Sequence, residues 1–181
     1  MKYLFLSGSF HSKSRSLAIL KNLESYFDGC EIMTPDLTKL PFYSEDYSEN
    51  KPDLVMELIS QVEGSKGIVI CSPEYNHSIP AVLKNAVDWI SRPAYNSVLK
   101  NKPVTIITQA QSPVGGARAQ AQLKLVLDAT LAKIHTCHEM MITHVDSIFS
   151  EDMQIKDENV LRRLKRHIKD FNEFSNRSKI G

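Results

Sequence analysis

Short apolar runs alternate with longer stretches of helical period along almost the whole chain, and a chain patterned this way has few ways to fold. Such alternation is the signature of a parallel sheet whose strands are joined by crossover helices. Residues 3–6 (Tyr-Leu-Phe-Leu) form a continuous apolar run without polar alternation, as expected of a strand buried on both faces. Helical spacing follows at Leu17, Leu20, Leu23 and Phe27. Residues 30–33 read as a weak second strand ended by Pro35, and Leu54, Val55, Leu58, Ile59 and Val62 mark a helix that Gly64 stops. Residues 67–71 (Gly-Ile-Val-Ile-Cys) are a third, β-branched strand. Ile79, Val82, Leu83, Ala86, Val87 and Ile90 then give the cleanest amphipathic helix in the chain. Residues 103–108 are the fourth strand, Leu123, Val126, Leu127 and Leu131 mark the next helix, and residues 134–142 are expected to hold the fifth strand. Val160, Leu161, Leu164, Ile168 and Phe171 form the closing helix.

Five strands with a helix after each is the count of the flavodoxin-like fold, an α/β doubly wound five-stranded parallel sheet of order 2-1-3-4-5 with helices on both faces. A length of 181 residues suits one domain spanning residues 1–181. Lys plus Arg number 22 against 21 Asp plus Glu, a net charge of +1 without basic blocks, which excludes the electrostatic footprint of a nucleic-acid binder. No apolar run approaches the length of a membrane span, and the apolar run near the start is too short for a secretory leader, so the chain is expected in the cytoplasm. Cys30, Cys71 and Cys137 are odd in number and widely spaced, and read as reduced thiols in or near a core.

In an open parallel sheet, ligands bind beyond the carboxyl ends of the strands, where the strand order reverses. Three loops therefore matter. The first, residues 7–16 (Ser-Gly-Ser-Phe-His-Ser-Lys-Ser-Arg-Ser), gathers hydroxyls, a His, a Lys and an Arg at the positive end of a helix, the chemistry of an anion site. An ordinary Ser-capped helix start needs only one of those hydroxyls. The second, residues 72–80, is stiffened by Pro73 and Pro80 and offers Tyr75, Asn76 and backbone groups to a flat polar heterocycle, with Ser78 as a candidate helix cap; a plain capped turn fits the same spacing equally well. The third, residues 108–116, ends in Gly115 and Gly116, which allow close backbone approach to a ligand but are also ordinary loop formers.

Several segments in order carry a resemblance. Gly8-Ser9 followed by Ser14, then Leu40-Pro41-x-Tyr43-x-Glu45-Asp46, is followed by Pro73-Glu74-Tyr75-Asn76-x-Ser78-x-Pro80. Leu83-Lys84-Asn85-Ala86-x-Asp88-Trp89-x-Ser91-Arg92 and Gly115-Gly116-x-Arg118-Ala119-Gln120 complete the series. Together they resemble the NADPH-dependent FMN reductase family from residue 8 to about 120. The resemblance implies a flavodoxin-like domain that binds FMN and takes electrons from NADPH or NADH. It implies transfer to a small acceptor such as a quinone, azo compound, flavin or metal oxyanion, usually in a homodimer or homotetramer.

By that resemblance the FMN phosphate sits over Ser9, His11, Ser14, Arg15 and Ser16. Pro73, Glu74, Tyr75 and Asn76, with Ser78 nearby, hold the edge of the isoalloxazine, and Gly115 and Gly116 close its other side. The family usually has Arg at the position of His11 and Asn at that of Ser16. Histidine carries less positive charge than arginine at neutral pH, which weakens the phosphate grip or shares it with Lys13 and Arg15. Gln109, Ala110, Gln111 and Ser112 stand where the family has a Ser/Gly-rich segment and narrow the pocket or tune the flavin. Phe42, Tyr43 and Tyr47, together with Trp89, are candidates for covering the flavin face from the same or a partner subunit; an ordinary packed surface loop fits the same composition. No residue is assigned as a catalytic acid or base, because the cofactor carries the chemistry and the protein supplies orientation and electrostatics. A G-x-G-x-x-G fingerprint is absent, so NAD(P)H is expected to visit an open flavin face and leave before the acceptor enters, a ping-pong scheme.

The rival reading is a non-enzymatic FMN carrier or flavin-based sensor; a neutral chain with a basic phosphate loop favours the reductase. A low-molecular-weight phosphatase fails because His77, not Arg, lies six residues after Cys71, and no G-x-S-x-G elbow is present. His135, Cys137 and Glu139 share one face of a strand, a ligand pattern too loose for the expectation to include a metal.

Overall fold

The computed structural model describes residues 1–177, so the last four positions of the expected domain lie outside the described residues. The strands are β1 (Lys2–Ser7), β2 (Glu31–Met33), β3 (Ile68–Pro73), β4 (Pro103–Gln109), β5 (Lys133–Ile134) and β6 (Met140–Ile142). The helices are α1 (Arg15–Leu23), α2 (Asp53–Gly64), α3 (Ala81–Ile90), α4 (Ala117–Asp128) and α5 (Glu158–Arg177). All pairings are parallel and the order is β2-β1-β3-β4-β5, with β6 also against β4. This is the expected flavodoxin-like order.

Residues alternate across the sheet and feed two cores. Tyr3, Phe5, Val69, Cys71 and Ile107 face α1 and α5, whereas Leu4, Leu6, Ile68, Ile70, Val104 and Ile106 face α2, α3 and α4. Continuous apolar runs in β1 and β3 are thus explained by burial on both faces. Tyr3 stacks near Phe27 at 4.6 Å between ring centroids and bonds the Ser175 hydroxyl at 2.9 Å, tying the end of α5 to the first strand. Phe27, expected on the first helix, follows a 3-10 turn (Glu24–Tyr26) past the end of α1 and still reaches the core.

The fifth strand differs from expectation. Two short pieces replace one continuous strand: Lys133 and Ile134 pair with Pro103 and Val104, and Met140 to Ile142 pair with Ile107 to Gln109. Between them, residues 136–139 leave the ladder, while the His135 N–H still donates to the Val104 carbonyl at 2.8 Å. The Thr105 hydroxyl, on β4 beneath this break, lies 3.1 Å from His135 Nδ1 and 2.7 Å from His167 Nε2 of α5. Burial holds the His167 imidazole down at about 3, helped by the charges of His135, Arg166 and Arg163. His135 is lowered too, by burial against the opposing pull of Asp170.

Below the ordinary value of 6.5, the unfolded chain takes up a proton at His167 that the folded chain refuses until about pH 3. Stability therefore falls as pH drops through that window. Equilibrium unfolding is expected to show a loss of roughly 2 kcal/mol from this group between pH 7 and pH 5, absent in His167→Gln. Equal slopes for the two proteins would show that the imidazole is not held neutral.

Candidate functional site

Where β1 and β3 part company, the chain is drawn tight. Gly8 donates its N–H to the Cys71 carbonyl at 2.9 Å, and a Cβ at Gly8 would meet Ser72 Oγ at 2.7 Å and Pro73 Cδ at 3.1 Å. Only glycine lets the two strand ends approach this closely. Beyond that contact the loops after β1, β3 and β4 diverge around a cleft of about 450 Å³. Its walls are residues 9, 11 and 13–15, residues 73–75, residues 109–112, and Val145 with Asp146.

Three backbone acceptors at the loop ends around the cleft, the carbonyls of Ser9, Pro73 and Gly115, are taken up by side-chain hydroxyls. Ser7 Oγ and Ser14 Oγ both donate to the Ser9 carbonyl, at 2.7 and 2.9 Å. Ser72 Oγ donates to the Pro73 carbonyl at 2.8 Å, and Thr108 Oγ1 to the Gly115 carbonyl at 3.0 Å. Ser14 caps α1 by accepting from Leu17 N at 3.2 Å. The first two helical N–H groups, those of Arg15 and Ser16, have no intrahelical acceptor and remain for an outside one. A helix end with its acceptors spent and its donors free selects anions.

Side chains in this loop divide. Ser9 and His11 line the cleft, with His11 Nδ1 accepting from Lys13 N at 3.1 Å. Arg15 lines it but gives its Nε to Asp146 at 2.8 Å and stands 5.7 Å over the Phe149 ring. Ser16 has its side chain fully buried below the cleft, accepting from Gln109 Nε2 at 3.1 Å, so it can meet a ligand only through its backbone. Ser14's hydroxyl is spent on the loop itself.

The loop after β3 is rigid for reasons of its own. Tyr75 and Ser78 exchange both backbone hydrogen bonds, at 3.0 and 2.9 Å, around Asn76 and His77, which are left-handed at φ 48° and 64°. Asparagine tolerates that region better than most residues. This tight turn uses Ser78, and α3 begins only after Pro80, without a side-chain cap; Ser78 is therefore not the helix cap that its spacing suggested. Tyr75, 51% exposed, presents its ring at the cleft, while Asn76 and Ser78 do not line it.

Glu74 reaches across to α4. Its carboxylate accepts from Arg118 N at 2.9 Å, Ala119 N at 3.3 Å and Arg118 Nη1 at 3.0 Å, capping that helix from a different loop. Burial raises its pKa, but the Arg118 guanidinium and the two N–H groups outweigh it and leave Glu74 below the usual glutamate range. Gly115 and Gly116 are buried and left-handed; a Cβ on Gly116 would sit 3.0 Å from Thr108 Cβ, so their close approach is to the protein's own sheet. Gln111 lines the cleft and is exposed.

Sequence reasoning missed Val145 and Asp146, which enter from the turn after β6; no local signal marks them. The aromatic stretch lies elsewhere. Asn85 of α3 holds it at both ends, accepting from Tyr43 N at 2.8 Å and donating to the Pro41 carbonyl at 3.0 Å, and Trp89 Nε1 donates to that same carbonyl at 2.8 Å. Tyr43 and Trp89 meet edge to face at 5.1 Å and line a second cavity of about 580 Å³ with Arg92 and Pro93. Cys71 is wholly buried and burial pushes its thiol up to about 12, against the pull of Ser16, so it is no nucleophile.

The NADPH-dependent FMN reductase family pattern matches residues 1–145. The chain belongs to that family. The chain is 34% identical to a quinone reductase of Escherichia coli over 149 residues, 81% of this chain and 79% of that protein. It is 30% identical to an NADH:(hydroxy)cinnamate reductase subunit of Vibrio ruber over 179 residues, 97% and 87% of the two chains. The solved flavoenzyme NAD(P)H:(acceptor) oxidoreductase FerB of Paracoccus denitrificans superimposes with a TM-score of 0.90 at 27% identity, covering 98% of each chain. The reductase uses FMN as cofactor and NAD(P)H as electron donor, and reduces a small acceptor. No described helix is long and apolar enough to cross a membrane.

Removing the Glu74 charge should loosen two loops at once. Glu74→Gln is expected to lower stability by about 1 to 3 kcal/mol at neutral pH. The carboxylate's contribution is present above the ordinary glutamate pKa and is lost as pH falls through the lower folded value, so the two proteins' melting points converge in acid. A difference that persists unchanged at low pH would assign the effect to shape rather than charge.

Proposed function

We propose that the cleft at the carboxyl ends of β1, β3 and β4 seats FMN, phosphate end at the start of α1 and ring along the turn after β3, and that the acceptor is a small quinone. The observation that carries the seating is the paired chemistry of the α1 start: the Ser9 carbonyl occupied by the hydroxyls of both Ser7 and Ser14, the N–H groups of Arg15 and Ser16 left over. The cleft's volume lies in the range of ordinary small-molecule sites. Bound FMN supplies the two-electron chemistry between donor and acceptor.

This chain's residues bind and orient. Ser9 offers a hydroxyl and the α1 terminus offers backbone donors to the phosphate. His11 and Lys13 add donors at the rim. Pro73, Glu74 and Tyr75 form a stiff ledge for the ring, fixed by β3, by the salt bridge of Glu74 to Arg118 and by the turn through Asn76 and His77 that Tyr75 and Ser78 close. Gly115 and Gly116 bring the loop after β4 back against the sheet so that Gln111 faces the cleft. The quinone assignment rests on relatives bearing the names quinone reductase and 2-hydroxy-1,4-benzoquinone reductase at 34% and 36% identity. Exposed Phe42, Tyr47 and Tyr95 favour a homodimer or homotetramer, and the reading fits a single cytoplasmic FMN-binding domain.

Steady-state NAD(P)H oxidation with a benzoquinone should give parallel double-reciprocal lines. Intersecting lines would mean that both substrates bind together. Two serines separate the binding and folding roles. Ser9→Ala should weaken FMN binding by about 1 to 3 kcal/mol with little change in melting, whereas Ser14→Ala should lower stability by roughly 1 kcal/mol through loss of the cap. An unchanged FMN titration for Ser9→Ala would overturn the phosphate seat.

A further inference from the structure

We propose that His135, Cys137 and His167 form a zinc site, remote from the flavin cleft, that fastens the break in the fifth strand to α5. One ring nitrogen from each histidine and the Cys137 sulfur lie within 4.8 Å of one another. Cys137 Sγ stands 3.7 Å from His167 Nδ1. Sulfur and nitrogen on a tetrahedral zinc, with bonds of about 2.3 and 2.0 Å, stand about 3.6 Å apart. The Cys137–His167 pair already stands at that spacing, and the remaining pairs, all within 4.8 Å, close toward it on binding.

Two further features point the same way. Thr105 Oγ1 bonds Nδ1 of His135 and Nε2 of His167, which orients both rings and assigns the metal to Nε2 of His135 and Nδ1 of His167. Metal-bound histidines carry their second hydrogen bond in this manner, and a hydroxyl oxygen has lone pairs for two such N–H donors. Gln120 of α4, 3% exposed, lines the same small cavity as His135 and Cys137, and its Oε1 has no hydrogen-bond partner. A buried carbonyl without a donor is costly. Water on the open fourth position of the zinc would supply that donor, and the cavity, about 10 Å³, has room for about one such molecule.

A core histidine pair satisfied by Thr105 explains the two rings. With the Cys137 thiol also reaching the His135 carbonyl at 3.6 Å, it accounts for the sulfur as well, but it leaves the orphaned Gln120 amide oxygen without a donor. The backbone excursion itself fits the site: a continuous strand through residues 135–139 would keep Cys137 in the ladder, whereas the break carries it to α5. At the rim, Lys124 is neutralised by Glu139 at 2.5 Å, which removes a cation's repulsion. A donor set of two imidazoles and a thiolate is borderline-soft and favours zinc over magnesium or calcium. Coordination releases the Cys137 thiol proton to solvent.

FMN-loaded protein, freed of metal by a chelator and dialysed, should take up one Zn²⁺ per chain in competition with a chromophoric chelator. Its melting midpoint should rise with Zn²⁺ and not with Mg²⁺. Cys137→Ser should weaken Zn²⁺ binding roughly 100-fold or more and abolish the rise, while its FMN content stays that of the wild type and attests the fold. Cys30→Ser, at a cysteine outside the cluster, should retain both effects. Absence of stoichiometric uptake by the wild type, undiminished uptake by Cys137→Ser, or loss of uptake in Cys30→Ser would each overturn the site.

Discussion

The contact between Gly8 and the end of β3 is the constraint on which the rest of the molecule depends. At that point β2 lies outside β1 and β4 lies outside β3, so the chain leaving β1 and the chain leaving β3 turn to opposite faces of the sheet. A crevice between their loops is the geometric consequence of that reversal. The Gly8 N–H extends the ladder to the very floor of the crevice, and the missing Cβ keeps the two ends from being pushed apart. Any larger residue would widen the floor or tilt the start of α1, and the donors of that helix would no longer converge on the cleft.

The fold was legible because burial on both faces leaves no room for alternation. Tyr3 to Leu6 and Ile68 to Cys71 each serve two cores as unbroken apolar runs, and Val104, Ile106 and Ile107 do the same around Thr105, whose buried hydroxyl finds His135 and His167. The fifth strand was less legible because its break follows from tertiary contacts: His135 and Cys137 turn towards Thr105 and His167, and His167 comes from more than thirty residues away. Apolar periodicity in 134–142 carries no trace of that partner. Ser78 misled for a similar reason. Ser before Pro at the start of a periodic stretch reads as a cap, but a pair of left-handed residues, Asn76 and His77, folds it back on Tyr75 instead.

Motif segments far apart in sequence become one object in space. Leu40-Pro41-x-Tyr43 has little core character, and the Leu-Lys-Asn-Ala-x-Asp-Trp stretch reads as an amphipathic helix with an unexplained Asn inside it. Asn85 resolves both: its amide holds Tyr43 N and the Pro41 carbonyl, with Trp89 sharing that carbonyl. A mid-helix asparagine is unfavourable by propensity, and the segment it fixes offsets that cost with buried, satisfied hydrogen bonds. Likewise, Glu74 and Arg118 belong to separate motifs but form one salt bridge. Carriage of these residues together thus has a packing origin beside any ligand.

Polarity along the strands explains why this end of the sheet is left with donors in excess of acceptors. Each central strand runs apolar and finishes in a buried hydroxyl: β1 in Ser7, β3 with Ser72 before Pro73, β4 with Thr108 before Gln109. Where parallel strands diverge, carbonyls leave the ladder and must find donors. Those three hydroxyls, joined by Ser14, supply them inside the loops. A hydroxyl donates one proton, so each one spent on a carbonyl removes an acceptor from the cleft wall and leaves nearby N–H groups unmatched. The dipole of α1 adds to the same imbalance. The excess of donors is therefore set by how the sheet ends, ahead of any formal charge, and a loop that carries His11 rather than arginine keeps that excess.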